Sequence, residues 1–71
     1  MKNHNLGKQE KAIMMSYAMN DMKIERVKRE FYYARSTIDY YLAKINKITG
    51  INPRTFYGLM ELVQKVDKGE L

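Results

Sequence analysis

The chain has 71 residues, which allows one domain whose small hydrophobic core supplies only about 3–5 kcal/mol of net stability. It contains no cysteine, which excludes disulfide bridges, thiol nucleophiles and cysteine metal sites. No apolar run approaches the roughly 18 residues that span a bilayer, and no hydrophobic signal core follows the charged N-terminus, so we expect a cytoplasmic protein. Thirteen Lys and Arg against eight Asp and Glu give a net charge of +5, which favours a partner that presents phosphate or another acidic surface.

The N-terminal third begins with a polar segment and continues into a helical pattern. Residues 1–7 show no period, so we expect a flexible leader in which His4 is solvated and binds no metal. From Lys8 to about Asn20, methionines and other apolar side chains recur at helical spacing and predict the first helix, with the methionines filling gaps in a small core. The folded domain is therefore predicted to run over residues 8–67.

The second predicted helix is short and runs from Met22 to Phe31. Asp21 precedes it as a side-chain cap for its free backbone N–H groups. Ile24, Val27 and Phe31 lie on one side of this helix and would pack on its neighbours. After it, Tyr32 stands where many tight turns between helices have glycine, and a positive φ there would cost stability.

The third predicted helix covers residues 35–49 and ends at Gly50, a natural left-handed residue at a helix C-terminus. Its apolar face consists of Ile38, Leu42, Ile45 and Ile48. The cap is ambiguous, because Ala34 has no side-chain acceptor, whereas the spacing of Ser36 and Asp39 resembles a capping box that would start the helix late.

A fourth helix is predicted from Pro53, with Asn52 as its cap, to Val66 or Asp67. Residues 68–71 are expected to fray. No strand-like alternation of useful length occurs. The fold prediction is therefore an all-α protein, a small helix-turn-helix bundle of about four helices.

The stretch from Ile24 to Gly50 carries the functional prediction. A short amphipathic helix, a turn of about three residues and a longer helix that opens with Arg-Ser-Thr are typical of a DNA-binding helix-turn-helix, whose second helix lies in the major groove. Between Lys23 and Lys47 there are seven basic residues and three acidic ones, so most of the excess charge lies on this helix pair. The alternative is an ordinary solvated face on two surface helices.

The run from Phe31 to Asn52 resembles the C-terminal helix-turn-helix of bacterial purine-catabolism (PucR-type) and sugar-diacid regulators. The positions that fall on the family pattern without a gap are Thr37, Ile38, Tyr40, Leu42, Ile45, Ile48, Thr49, Gly50 and Ile51. Ala34 stands where the family usually has His, and Tyr41 where it usually has Arg, so the family's base preference does not carry over. The resemblance implies a transcription regulator of bacterial or phage origin, with the domain usually at the end of a longer protein that carries sensing regions.

On the exposed side of the third helix, the N-terminal residues are expected to enter the DNA groove. Arg35 would bind guanine or a phosphate, and Ser36 and Thr37 would donate to phosphate or a base edge. Asp39 would accept from cytosine N4 or orient Arg35, and Tyr40 would stack or donate to phosphate. The expected backbone contacts are Lys44 and Lys47 on this helix and Lys28 and Arg29 on the preceding one.

Other classes of function compete with duplex binding. Tyr32 and Tyr40 could stack on RNA or single-stranded DNA, although Tyr33 and Tyr41 fall on the core side and leave few rings for such a platform. A protein–protein adaptor on the same fold, with a regulatory protein as its partner, is a third class. An enzyme is not expected, because one histidine, no cysteine and no clustered carboxylates provide no catalytic constellation and no metal or cofactor site.

We also expect a homodimer, because one recognition helix covers only a half-site and the core is small. The apolar surface for it would come from the first helix or from the last helix. The candidates are Met14, Met15 and Met19 on the first, and Leu59, Leu62 and Val66 on the last.

Overall fold

The computed structural model describes residues 6–71, and within that range it contains four α-helices and no strand. These are α1 (Lys8–Met19), α2 (Ile24–Phe31), α3 (Arg35–Thr49) and α4 (Phe56–Asp67). The predicted small all-α bundle of four helices is confirmed. His4 and the rest of residues 1–5 lie outside the described range.

The first helix, α1, occupies the centre of the bundle. Within residues 6–71 it packs against each of the other three helices, α2 packs also against α3, and α4 packs on α1 only. The molecule is consequently elongated, with extents of 36 × 20 × 17 Å. The buried apolar side chains are Leu6, Ile13, Met14, Tyr17, Ile24, Val27, Ile38, Leu42, Ile45, Leu59, Leu62 and Leu71. This arrangement leaves the outer sides of α2 and α3, and much of α4, in contact with solvent.

The connection between α1 and α2 differs from the prediction at Asp21. Asp21 and Met22 both have a positive φ, of 57° and 62°, and the Met22 N–H donates to the Tyr17 carbonyl at 2.7 Å. These two residues close the C-terminus of α1, so α2 begins only at Ile24. Its N-cap position is Lys23, which makes no side-chain cap. The predicted capping role of Asp21 is therefore wrong.

The turn between α2 and α3 consists of three residues, and aromatic packing fixes it. Tyr32 has φ 59°, as expected for the residue in the glycine-like position, and its side chain is 93% exposed. Tyr33 stacks between Phe31 and Tyr41, with ring centroids 5.7 and 6.3 Å apart, and its hydroxyl accepts from Gln9 Nε2 of α1. Tyr33 and Tyr41 pack against the core as predicted, so the turn is held from three helices.

The structure has the predicted bounds of α3 but starts α4 later than predicted. α3 begins at Arg35 after an uncapped Ala34, without the late start that Ser36 suggested, and it ends at Gly50 with φ 75° as expected. α4 does not begin at Pro53. The Asn52 side chain instead accepts from the Arg54 N–H at 3.0 Å in a turn, and Thr55 caps α4 by accepting from the Gly58 N–H at 3.1 Å.

The two ends of the described chain pack into the core. Leu6 is 4% exposed and Leu71 is 9% exposed. The Glu70 N–H donates to the Lys65 carbonyl at 2.8 Å across the left-handed Gly69, which turns the chain back after α4. Residues 68–71, for which fraying is predicted, thus form a turn that places Leu71 against the core.

Candidate nucleic-acid interface

The third helix presents a buried face and an exposed face. Ile38, Leu42 and Ile45 are at most 1% exposed, at the spacing of one side of a helix. The site residues predicted on α3 divide into exposed Arg35, Ser36, Tyr40 and Lys47 and half-buried Thr37, Asp39 and Lys44. On α2, Lys28 is half-buried and Arg29 is exposed. All nine predicted residues thus reach the surface.

The first turn of α3 is open to an external acceptor. Its N-cap residue, Ala34, makes no side-chain hydrogen bond, and no acidic side chain lies in the first turn. Backbone N–H groups at a helix N-terminus carry a partial positive charge and favour anions. The exposed Arg35 and Ser36 therefore stand where the local field attracts a phosphate or the acceptor edge of a base.

A chain of ion pairs runs across α2, α3 and the loop that follows. Lys28 Nζ lies 3.3 Å from Glu25, whose other oxygen lies 3.9 Å from Arg35 Nη1. Arg35 Nε in turn lies 3.8 Å from Asp39, and Arg54 Nη2 binds the second Asp39 oxygen at 2.5 Å. Exposed ion pairs of this kind contribute little to the stability of the fold.

Arg54 is a residue of this surface that the sequence pattern did not indicate. It lies in the loop between α3 and α4, fifteen positions from Asp39, so no helical period relates the two. The Asn52 and Pro53 turn brings Arg54 back beside α3. Asp39 consequently holds two arginines, of which only Arg35 belongs to its own helix.

Lys44 takes part in the packing of α1 on α3. Its Nζ lies 2.9 Å from a carboxylate oxygen of Glu10, a residue only 6% exposed, and 5.9 Å from the centre of the Tyr40 ring. The hydrogen bond from Lys44 lowers the pKa of the Glu10 carboxyl, and the same bond raises the pKa of Lys44. Sequence reasoning proposed only a phosphate contact for Lys44 and did not identify this partner.

Five of the nine predicted site residues line two separate depressions on the surface. Arg29 and Arg35 line a cleft of about 580 Å³, which we call the basic cleft; its walls are Lys23, Glu25, Arg26, Arg29, Arg35 and Arg54, and its floor is Tyr17, Met22 and Ile24. Tyr40, Lys44 and Lys47 line a separate depression of about 470 Å³. The basic cleft lies beside the starts of α2 and α3, and Arg29 lines it from the last turn of α2.

Within residues 6–71, no group of three or more His, Asp and Glu side chains is arranged to hold a metal ion. No helix in the same range has the length and apolar character needed to cross a membrane. In comparisons with known proteins, no family model, curated protein or solved structure matches this chain. The function is therefore inferred from the surface residues and charges described above.

Proposed function

We propose that this chain is a sequence-specific transcriptional regulator that binds duplex DNA, with α3 as the recognition helix in the major groove. The observation that carries the proposal is the exposed N-terminal half of α3, where Arg35, Ser36 and Tyr40 face solvent beside the cations of the basic cleft. The tight turn between α2 and α3 supports it, because a short helix, a three-residue turn and a longer helix form the element order of this DNA-binding motif.

The proposed roles follow from the chemistry of each group. Arg35 binds guanine O6 and N7 or a phosphate, and Ser36 donates to phosphate or a base edge. Asp39 accepts from cytosine N4, or it keeps Arg35 and Arg54 in place from within the ion-pair chain. Lys47 and Arg29 contact the backbone and add affinity without sequence information.

The resemblance of residues 31–52 to PucR-type regulators motivates the narrower proposal of bacterial or phage transcription control in the cytoplasm. A regulator of this kind needs two recognition helices for a full palindromic site. The proposal therefore includes a homodimer on DNA, with one copy on each half-site.

Binding to random-sequence and genomic duplexes over a salt series tests the proposal. We expect the logarithm of the binding constant to fall linearly with the logarithm of the salt concentration, because phosphate contacts release counterions. We also expect selection from the genomic pool to enrich one site. Absence of binding in dilute buffer, or binding that ignores salt, contradicts the proposal. A preference for single strands would favour the RNA or single-strand alternative.

A protein–protein adaptor is the second candidate, and the apolar side of α4 favours it. An open groove of about 390 Å³ is lined by Ala18, Asp21, Met22, Phe56, Leu59, Met60 and Val63. Phe56 is 62% exposed, and the adjacent Tyr57 is 78% exposed. Large exposed apolar side chains of this kind often mark protein contacts. A pull-down that recovers one protein and no nucleic acid would favour the adaptor.

A further inference from the structure

The basic cleft concentrates nearly all of the excess positive charge of the chain. Five lysines and arginines and a single glutamate line it, whereas the whole chain has thirteen basic and eight acidic side chains. The charges elsewhere therefore nearly balance. A concave site with one sign of charge focuses the electrostatic field more strongly than the same charges on a flat surface.

The cations of the basic cleft differ in how far they are already neutralised. Among residues 6–71, Lys23, Arg26 and Arg29 have no carboxylate within ion-pair distance. Arg35 and Arg54 are instead paired with Asp39, at 3.8 and 2.5 Å, and each guanidinium keeps further N–H groups for another acceptor. Glu25, in the wall, is shared between Arg35 and Lys28. The cleft therefore keeps a positive charge that no side chain in this range compensates.

Three segments of the chain contribute arginines to the basic cleft. Its walls come from α2, from the start of α3 and from the loop that carries Arg54, so guanidinium groups from separate segments line one space. Its floor includes Met22 and Ile24, and such apolar walls strengthen the attraction between charges. A guanidinium group donates two parallel hydrogen bonds to a phosphate, which a lysine cannot match.

We infer that the basic cleft binds a backbone phosphodiester of the DNA, with Arg26, Arg29 and Arg54 as donors to its oxygens. This inference rests on the proposed function and adds residues to it, since Arg26 and Arg54 lie outside the set predicted from sequence. Phosphate contacts fix the position of a protein on DNA and carry no base information. The cleft would therefore set the register of α3, while Arg35, the cleft residue that lies on α3, reads the groove.

A double variant, Arg26→Ala with Arg29→Ala, tests the inference against a matched control. The control is Lys65→Ala, in the last turn of α4, with Lys68→Ala, directly after that helix. It removes the same charge at the same spacing of three residues. For the cleft variant we expect weaker binding to every duplex alike, and a salt slope reduced by about 0.9, because the contact to one phosphate is lost. Arg54→Ala should weaken binding to every duplex alike and reduce the slope by no more than this, and the control should leave the slope unchanged.

The possible results distinguish failure of the cleft inference from failure of the proposed function. If the parent binds duplex DNA and the cleft variant, folded by circular dichroism, keeps the parent's affinity and slope, the inference is overturned while the proposed function stands. A changed base preference in the cleft variant also overturns it. If the parent binds no duplex, the proposed function and the DNA ligand both fail. A nuclear magnetic resonance titration with inorganic phosphate then tests the cleft alone: shifts at the side chains of Arg26, Arg29 and Arg54 support an anion site, and unshifted signals remove it.

Discussion

The Arg35 side chain is 59% exposed and lies between two carboxylates at 3.8 and 3.9 Å. Because both contacts are long and exposed, we expect Arg35→Ala to change the free energy of unfolding by no more than about 0.5 kcal/mol. Loss of a bidentate guanine contact would weaken DNA binding by about 1–3 kcal/mol and relax the preference at one base pair. Loss of a phosphate contact would instead weaken all sequences alike. Binding assays on the selected site and on its point variants distinguish these results.

Two outcomes would show that the recognition helix has been placed wrongly. One is that Arg35→Ala unfolds the protein, which would mean that the arginine has a structural role. The other is that the variant binds the best duplex as tightly as the parent does. Lys47→Ala is the matched comparison, because this exposed lysine on the same helix is expected to contact backbone only and should reduce affinity without changing base preference.

The buried Glu10 carboxylate predicts a pH dependence of stability. Its pKa in the folded protein lies below the ordinary value of 4.5, because Lys44 hydrogen-bonds to the ionised form. The pairing therefore stabilises the fold above that value, and this contribution is lost as the pH falls through the folded-state pKa. We expect Glu10→Gln to have a lower melting temperature than the parent at neutral pH, with the difference shrinking in acid. A constant difference from pH 7 to pH 3 would contradict the pairing.

The same contact changes what can be expected of Lys44. Because the pairing raises the pKa of Lys44 above 10.5, its contribution is present below that value and is lost at higher pH. Removing the lysine leaves a buried carboxylate without its cation, so Lys44→Ala should lower the melting temperature as well as any affinity for DNA. An effect on DNA binding in this variant has to be measured where the variant is fully folded.

At the scale of single elements, the turn between α2 and α3 stores backbone strain at Tyr32. A side chain at φ 59° costs roughly 1–2 kcal/mol relative to glycine, and an exposed ring gains little from packing. We expect Tyr32→Gly to stabilise the fold by about 0.5–1 kcal/mol after the greater freedom of glycine in the unfolded chain is deducted. Urea unfolding of the variant measures this. Gly50→Ala is the opposite control, because it introduces a Cβ at φ 75°, and it should lower the free energy of unfolding.

The start of α4 provides a second test at this scale, at Gly58. Helix propensity alone predicts that alanine would stabilise this position by about 0.8–1.0 kcal/mol. In the structure, however, a Cβ at Gly58 would overlap the Asn52 carbonyl oxygen and approach the Thr55 hydroxyl to 2.6 Å. We therefore expect Gly58→Ala to destabilise by about 1–3 kcal/mol. Gln64→Ala, at an exposed position of the same helix, should be close to neutral.

At the scale of the whole molecule, the structure changes which residues could form a dimer. Met14, Leu59 and Leu62 are at most 5% exposed, so these three residues belong to the core and cannot supply the contact surface predicted from sequence. Met19, which was among the predicted residues, is exposed. The other large exposed apolar side chains are Phe56, Tyr57 and Met60 on α4, Tyr40 on α3 and Tyr32 in the turn between α2 and α3. We therefore place the proposed dimer contact at the apolar groove of α4 described above.

We expect sedimentation to show concentration-dependent self-association that the double variant Phe56→Ser with Met60→Ser abolishes. Both side chains line the apolar groove, and their partial exposure means that the monomer fold should survive. An exposed pair on another surface, Tyr32→Ser with Tyr40→Ser, is the control and should leave association unchanged. A mass of 8.4 kDa at every concentration, with a single chain bound per DNA site, would remove the dimer.

The sequence alone determined the number and order of the helices and the face that α3 buries. The apolar period of Ile38, Leu42 and Ile45 and the left-handed Gly50 at the end of α3 appear in the structure as predicted. These features depend on residues within one or two helical turns of each other, so local propensity and periodicity are sufficient to specify them.

The tertiary structure decided everything that depends on residues distant along the chain. It placed Arg54 on Asp39, Lys44 on Glu10, and Leu6 and Leu71 in the core. It also moved the cap of α4 from Asn52 to Thr55, because the Asn52 side chain closes a turn of its own. Contacts of this kind arise only when helices meet at particular distances and angles, and no periodicity in the sequence records which loop returns to which helix.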